Sequence, residues 1–386
     1  MIKSIKVMLL PNNKQRTKLF QSAGTGRWAY NWTLARQQEN YKNGGKFISD
    51  GELRKELTQI KRTDEFNWLN DYSNNITKQS IKDACLAFQR FFKHQSDFPK
   101  FKSKRKSTPS FYVDNCKIEF SENKVKLEKL TDSKKQNKQK LNWIKLAEKN
   151  RIPSHCKYYN PRVTFDGINW WISVGIDYEE STARPTNDGV GIDIGIKDLA
   201  ICSDGSIYKN INKTKRIKKL KKKKRRLQRK VSRKYLKNKK GASYCKTRNI
   251  IKCEKEILKL NHRLTNIRHN YLNQVTSEII KREPKFIVLE DLNVKGMMKN
   301  RHLAKAVQEQ CFYEFYRQIQ YKSLWNNINF ITADRFFPSS KLCSVCGNIK
   351  KDLKLSDRTY ICECGNVIDR DYQASVNLCN YGKSIV

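Results

Sequence analysis

The chain opens on an alternating run, residues 2–10 (IKSIKVMLL), which predicts a strand that Pro11-Asn12 breaks. Residues 14–105 read as helical. Ser49-Asp50 ahead of Glu52 is a helix-start pattern, and Leu53, Leu57 and Ile60 follow at helical spacing. Ile81, Ala84, Phe88 and Phe91 form a second apolar stripe, whose polar side carries Lys78, Gln79, Lys82 and Arg90. The basic, proline-broken run FPKFKSKRK at 98–106 reads as a linker. Strand-like runs return at 110–130 and 161–178, the second turning at Asp166-Gly167. A β module that takes in the opening strand is therefore expected to bracket the helical block. The polar stretch 179–189 marks a domain boundary.

Beyond it, VGIDIGI (190–196), DLAICS (198–203) and SIYKNI (206–211) predict a β-meander. Ile217, Leu220, Leu227 and Val231 recur at near-helical spacing and predict a helix with a thin apolar seam. Ile250, Ile257, Leu260, Leu264, Ile267, Tyr271, Val275 and Ile279 mark a long amphipathic helix that Pro284 ends. A strand over 285–294, a helix over 304–325, a strand over 328–334 and a last helix complete the pattern, with no internal repeat.

Composition adds the partner class. Hydrophobic residues make up 38% of 386, enough for real cores in two or three folding units. No run approaches the roughly 18 apolar residues of a membrane span. The N-terminus is too short and interrupted for a signal peptide, so a cytosolic location is expected. Eighty Lys and Arg face 37 Asp and Glu, a formal net charge of +43, and residues 213–240 hold 18 of the cations and no acid. Such an excess repels itself without a polyanion nearby, and nucleic acid is the expected partner.

Against that background one acid is conspicuous. GVGIDIGIKDLA (189–200) reads as a buried strand with Asp193 at its centre, and a lone buried carboxylate is costly unless paired or bound to metal. Glu290 stands at the end of another strand and Asp371 in VIDRDYQASVNL at the last helix. Alone, Asp193 also fits a turn cap. Three acids in the order meander, strand, late helix match the ribonuclease-H-like nuclease fold, in which carboxylates converge on two Mg²⁺ ions. Asp369 is either a supporting partner or an N-cap; Asp291 and Asp198 are read as structural. Of twelve cysteines, Cys85, Cys116, Cys156, Cys202, Cys245, Cys253, Cys311 and Cys379 are scattered, whereas Cys343, Cys346, Cys362 and Cys364 cluster as C-x2-C-x15-C-x-C. Four thiolates at that spacing make a closed structural Zn²⁺ site, with the second knuckle one residue short of the usual template.

These motifs together resemble the TnpB (OrfB) family, transposon-encoded RNA-guided DNA endonucleases related to compact type V CRISPR effectors. LLPNNKQ…YNW, FNWL, AFQRFF and FPKFKSK…SFY carry the resemblance in the first half; GIDIGIKDLA, IVLEDLNVKGM, SSKLCSVCG and CGNVIDRDYQASVNL carry it in the second. It implies an α+β multidomain chain. A β-barrel-like wedge domain (1–12 and 107–182) would hold an inserted helical recognition domain (13–106). A RuvC-like nuclease domain (187–338 and 367–386) would hold an inserted, target-strand-binding zinc ribbon (339–366).

The resemblance puts Asp193, Glu290 and Asp371 on the catalytic acids. It implies a guide RNA derived from the transposon end, double-stranded target DNA cut beside a short adjacent motif, and residence in the prokaryotic cytosol or nucleoid. The lysine-rich helices, with Lys221, Lys222, Arg225, Arg226 and Arg229, fit a guide–target channel. Lys78, Gln79 and Asn115 fall by position near the adjacent-motif duplex. Two departures stand out: Gln373 where the family often has Asn, and the short knuckle Cys362-Glu363-Cys364. Neither removes an acid. An RNA-guided repressor would be expected to have lost one; a strand-joining transposase would share all three; trimming of the guide at the same site is compatible with cutting.

Overall fold

A computed structural model describes residues 2–130, 141–179, 185–241, 243–354 and 357–386. The chain divides into two compact units, Met1–Glu179 and Glu180–Val386, with the division falling at the start of the predicted boundary stretch, of which 180–184 lie outside the described residues.

In the first unit, β1 (Ile2–Leu10) leads into α1 (Asn13–Lys42) through a reciprocal cap. Asn12 Oδ1 accepts from Gln15 N at 2.9 Å, and Gln15 Oε1 accepts from Asn12 N at 3.0 Å. Gln15 is buried, and its Nε2 donates to the carbonyls of Leu141 and Trp143, which fastens the helix start to the sheet. Helix α2 (Asp50–Ile60) begins at the predicted Ser49–Glu52 capping box, and α3 (Asn74–Phe92) follows. The expectation of helix across 14–105 is corrected. A 3-10 turn (Asn67–Asp71) separates α2 from α3, and no helix continues past Phe92, where His94 takes a left-handed φ of 53°.

Strands β2 (Ser110–Tyr112), β3 (Glu119–Ser121), β4 (Lys124–Lys126), β5 (Trp143–Leu146), β6 (Tyr158–Phe165) and β7 (Trp170–Asp177) join β1 in an antiparallel sheet of order β2-β6-β7-β1-β5-β4-β3. The predicted β6–β7 hairpin forms because the Asp166 carboxylate accepts from Ile168 N, Asn169 N and Trp171 Nε1, with Gly167 at φ 95°. The edge strands β2 and β3 do not pair with each other, so the sheet is open rather than a closed barrel. Phe111 and Phe120 from those edges nonetheless share one core with Val7, Ile144, Trp170 and Leu19 of α1. Arg162 of β6 grips Asp83 of α3 in a two-pronged ion pair at 2.8 and 3.0 Å.

The second unit begins with the predicted meander, β8 (Val190–Ile194), β9 (Asp198–Cys202) and β10 (Ile207–Lys209). Helix α4 (Lys215–Lys237) forms along the basic run with Ile217 and Val231 buried, and packs against α5 (Arg248–Lys281) beyond the short pair β11 (Lys239–Lys240) and β12 (Ser243–Tyr244). Strand β13 (Phe286–Glu290) stops short of the predicted 294. Asn293 instead caps α6 (Val294–Lys299), its Oδ1 accepting from Gly296 N at 2.9 Å. The helix expected over 304–325 is two, α7 (Ala304–Gln310) and α8 (Phe312–Trp325), divided by left-handed Cys311 (φ 57°). Buried Gln310, at the break, donates to Gly195 O at 2.7 Å.

Strand β14 (Asn329–Ala333) completes a sheet of order β10-β9-β8-β13-β14, in which β8, β13 and β14 are parallel. Beyond it lie β15 (Thr359–Ile361), β16 (Val367–Asp369) and α9 (Arg370–Lys383). Ile192 and Leu289 pack on one face against Leu272 and Val275 of α5 and Phe315 of α8. Phe286, Val288 and Ile331 pack on the other against Leu378 and Cys379 of α9. Among the described residues no helix is long and apolar enough to cross a membrane.

Candidate active site and four-cysteine module

Glycine 191 decides where α9 lies. A methyl group there would stand 2.1 Å from Ser375 O and 2.3 Å from Cys379 N, so the helix backbone rests directly on β8. Farther along, Cys379 Sγ reaches Gly189 O at 3.1 Å, and a methyl on Gly382 would meet Phe286 and Val288. Helix α9 thus runs antiparallel to β8 and β13, and its first turn lies at their C-terminal ends. Asp193 is two residues beyond Gly191 and so points to the same face. Asp371 is one helical turn before Ser375. Glu290 is two residues beyond Val288, on the α9 face of the strand next to β8, about 4.8 Å away by ladder spacing. Position alone therefore brings the three predicted acids to one end of the sheet.

Electrostatics report the same proximity. Burial pushes the Asp193 carboxyl well above the usual range; Glu290 and Asp371 push it further, while Arg370 draws it down. Burial also raises Glu290, against a hydrogen bond donated by Ser339 Oγ. Asp371 is held by Arg370 Nη2 at 3.0 Å and Arg358 Nη1 at 3.7 Å. Asp369 is the N-cap of α9, accepting from Asp371 N and Tyr372 N, and lies 4.0 Å from Lys197. Asp291 pairs with Arg335 and Asp198 with Lys209. Ser339, Arg370 and Arg358 were not singled out from sequence; Ser339 stands four residues before Cys343, and Arg370 sits between two acids, so proximity to the motifs was the available signal.

The four cysteines converge. Their sulfurs all lie within 4.8 Å of one another, with Cys343–Cys364 at 3.7 Å and Cys346–Cys362 at 3.5 Å. A tetrahedron with metal–sulfur bonds of about 2.3 Å has edges of about 3.8 Å, so the set fits a four-thiolate ion despite the short second knuckle. Against burial, the backbone N–H groups of Cys346 and Val345 and the Asn366 amide draw the Cys343 thiol down to about 6. Against an Asn366 backbone bond, the neighbouring thiols push Cys364 up to about 12. A dication bound by all four would hold them as thiolates. Among the described residues this is the one group of such ligands closed to that degree.

The module is tied to α9 by buried amides. Gln373 Nε2 donates to Leu342 O at 2.8 Å and its Oε1 accepts from Asn366 Nδ2 at 2.9 Å; Asn366 also reaches Cys343 Sγ at 3.5 Å. Asn377 Nδ2 donates to the carbonyls of Ser339 and Leu342. The departure at Gln373 is therefore a clamp between the helix bearing Asp371 and the cysteine knuckles.

The other sequence candidates scatter. Lys222, Arg225, Arg226 and Arg229 are exposed on α4, and Arg225 and Arg229 line an open groove with Arg233. Lys221 instead faces inward, its Nζ 2.5 Å from Glu309. In the first unit Gln79 is engaged with Asp83 at 2.8 Å, Asn115 is exposed beside Tyr112, and Lys78 lines a different cavity from Gln79.

Family models match three stretches: an OrfB "Helix-turn-helix domain" over residues 1–46, here a strand and one long helix, the OrfB "Probable transposase" over 173–301, and a "Cas12f1-like, TNB domain" over 312–378. The chain is thus similar to OrfB proteins over residues 1–46 and 173–301. It is 29% identical to a "Putative RNA-guided DNA endonuclease InsQ" of Escherichia coli (strain K12), covering 94% of this chain and 87% of the relative. It is 27% identical to a "Putative RNA-guided DNA endonuclease" of Streptomyces pristinaespiralis, covering 97% and 88%. Its fold is similar to that of the protein in a Cas12f1–sgRNA–target DNA complex, with a TM-score of 0.60 at 14% identity over 95% of this chain and 82% of that one.

Proposed function

We propose that this protein is an RNA-guided DNA endonuclease whose second unit is a RuvC-type, ribonuclease-H-like nuclease. The observation that carries the site assignment is the meeting of Asp193, Glu290 and Asp371 at one end of a sheet with three antiparallel and two added parallel strands. The endonuclease names of its full-length relatives support the reaction class, and the net charge of +43 supports nucleic acid as partner.

The three carboxylates fit Mg²⁺ as a donor set: they are hard oxygens, and two of them are raised by burial. When bound, two such ions polarise the scissile phosphate and generate the attacking hydroxide. Arg370 neutralises Asp371 in the free protein. Ser339 orients Glu290. The cysteine module would hold one structural Zn²⁺ through Cys343, Cys346, Cys362 and Cys364 and, as a ribbon over 339–366, contact the target strand. The first unit would supply wedge and recognition functions (1–12 with 107–182, and 13–106), including reading of the motif next to the target. The RNA would derive from a transposon end.

The test is cleavage of plasmid DNA by the purified protein–RNA complex with Mg²⁺. Wild type should cut only plasmids matching the guide, and Asp193→Ala should bind RNA equally but lose about 10²–10³-fold in rate, the size of effect expected when a transition-state electrostatic group is removed. Undiminished cutting by the variant refutes the site. Joined rather than cleaved ends would instead support the transposase reading that the OrfB family description suggests.

A further inference from the structure

Within the first unit, α2, the segment after it and the first two turns of α3 enclose a cavity of 250 Å³ lined by four cations, Arg54, Lys61, Arg62 and Lys78, and, among the described residues, by no carboxylate. Lys61 is only 8% exposed. Its Nζ donates to two neutral oxygens, Asn74 Oδ1 at 3.0 Å and Thr77 Oγ1 at 3.1 Å, and has no acidic partner among the described residues. A buried cation without an anion is costly. A second donor in the same wall is orphaned: Arg54 Nε is buried without a hydrogen-bond partner, although the far end of that guanidinium pairs with Asp50. Burial, with Lys129 and Lys78 as like charges, draws the Lys61 ammonium down to about 8. The positive end of the α3 dipole adds to this field.

We propose that this pocket is a phosphate site that takes a backbone phosphodiester of bound nucleic acid on Lys61, Arg54 and Lys78. A phosphate would give the orphaned Arg54 Nε an acceptor and supply the anion that Lys61 lacks, since charge-assisted bonds of lysine and arginine to phosphate are the strong class. The source of the phosphate rests on the nucleic-acid reading above; its chemistry does not.

The experiment measures binding of guide RNA to the full chain, and of duplex target to the protein–RNA complex, across a salt series. The variants are Lys61→Met, the exposed pair Arg62→Gln with Lys78→Gln, and Lys55→Met, an equal charge loss on an exposed position of α2 outside the cavity. Losing a phosphate contact lowers the slope of log K against log salt by about one. Lys61→Met and the double variant should lose that slope for one of the two ligands, which identifies the strand, while Lys55→Met keeps it. The double variant decides the matter if Lys61→Met does not fold. Identical slopes for all variants, with wild type binding normally, overturn the proposal. A wild type that binds neither RNA nor DNA refutes the proposed function instead. The pocket is then judged by inorganic phosphate: a melting-temperature rise that wild type shows and the double variant lacks upholds the phosphate chemistry, and equal rises overturn it.

Discussion

At the scale of single residues, the acids and their supports divide labour. Asp193 and Glu290 are both pushed toward protonation by burial, and Ser339 opposes that push at Glu290 with a hydroxyl hydrogen bond. Ser339→Ala removes this support without opening the core. It should raise the Mg²⁺ concentration for half-maximal cleavage about tenfold or more, the range seen when a ligand's outer partner is lost, with RNA affinity and melting temperature unchanged. A titration of cleavage rate against Mg²⁺ checks this. The three acids were legible in the sequence because each sits in a short motif with its own backbone context. Ser339, 49 residues from Glu290, was not, because only the fold of the cysteine segment brings the two together. Lys61 was equally silent: nothing local distinguishes this residue at the C-cap of α2 from Lys55 within the helix, and its side chain is held by Asn74 and Thr77 of α3.

At the scale of elements, boundaries marked by a local residue were legible, as at Ser49 and Pro284, and a break set by a distant contact was not. The Ser49–Glu52 box is a local hydrogen-bond exchange, and it forms where the sequence predicts it. The break at Cys311 carries no local signal, because what it achieves is a bond from Gln310 to Gly195, more than a hundred positions away. The contact of α9 with β8 is the element pairing on which the site depends. Gly191→Ala would place a methyl against the α9 backbone, which cannot yield as a flexible side chain can. The variant should lose about 3 kcal/mol of unfolding free energy, at the upper end for overpacking, and should lose cleavage with it because Asp371 moves away from Asp193. Denaturant melts alongside cleavage assays measure both.

At the scale of the molecule, the excess of cations governs how tightly nucleic acid is held. Affinity for RNA should fall steeply with salt, and replacing Arg225, Arg226 and Arg229 by Gln should flatten the slope by up to about three. Lys221→Gln should leave the slope unchanged and lower the melting temperature slightly, because that ammonium is committed to Glu309, which Arg268 also approaches at 3.4 Å. Binding isotherms at four or five salt concentrations separate the two outcomes. By itself the sequence determined the identity of the chemistry-bearing groups, the caps, the meander, the basic helix and the sign of the partner's charge, all of which depend on neighbours in the chain or on simple sums. Only the tertiary structure decided that the first sheet stays open, that Lys221 turns inward, that the cysteine knuckles are clamped to α9 through Gln373, and that Lys61 at the end of α2 is buried with no anion beside it among the described residues. Those outcomes depend on which distant surfaces meet, and pairwise packing between remote segments leaves no trace in local residue pattern.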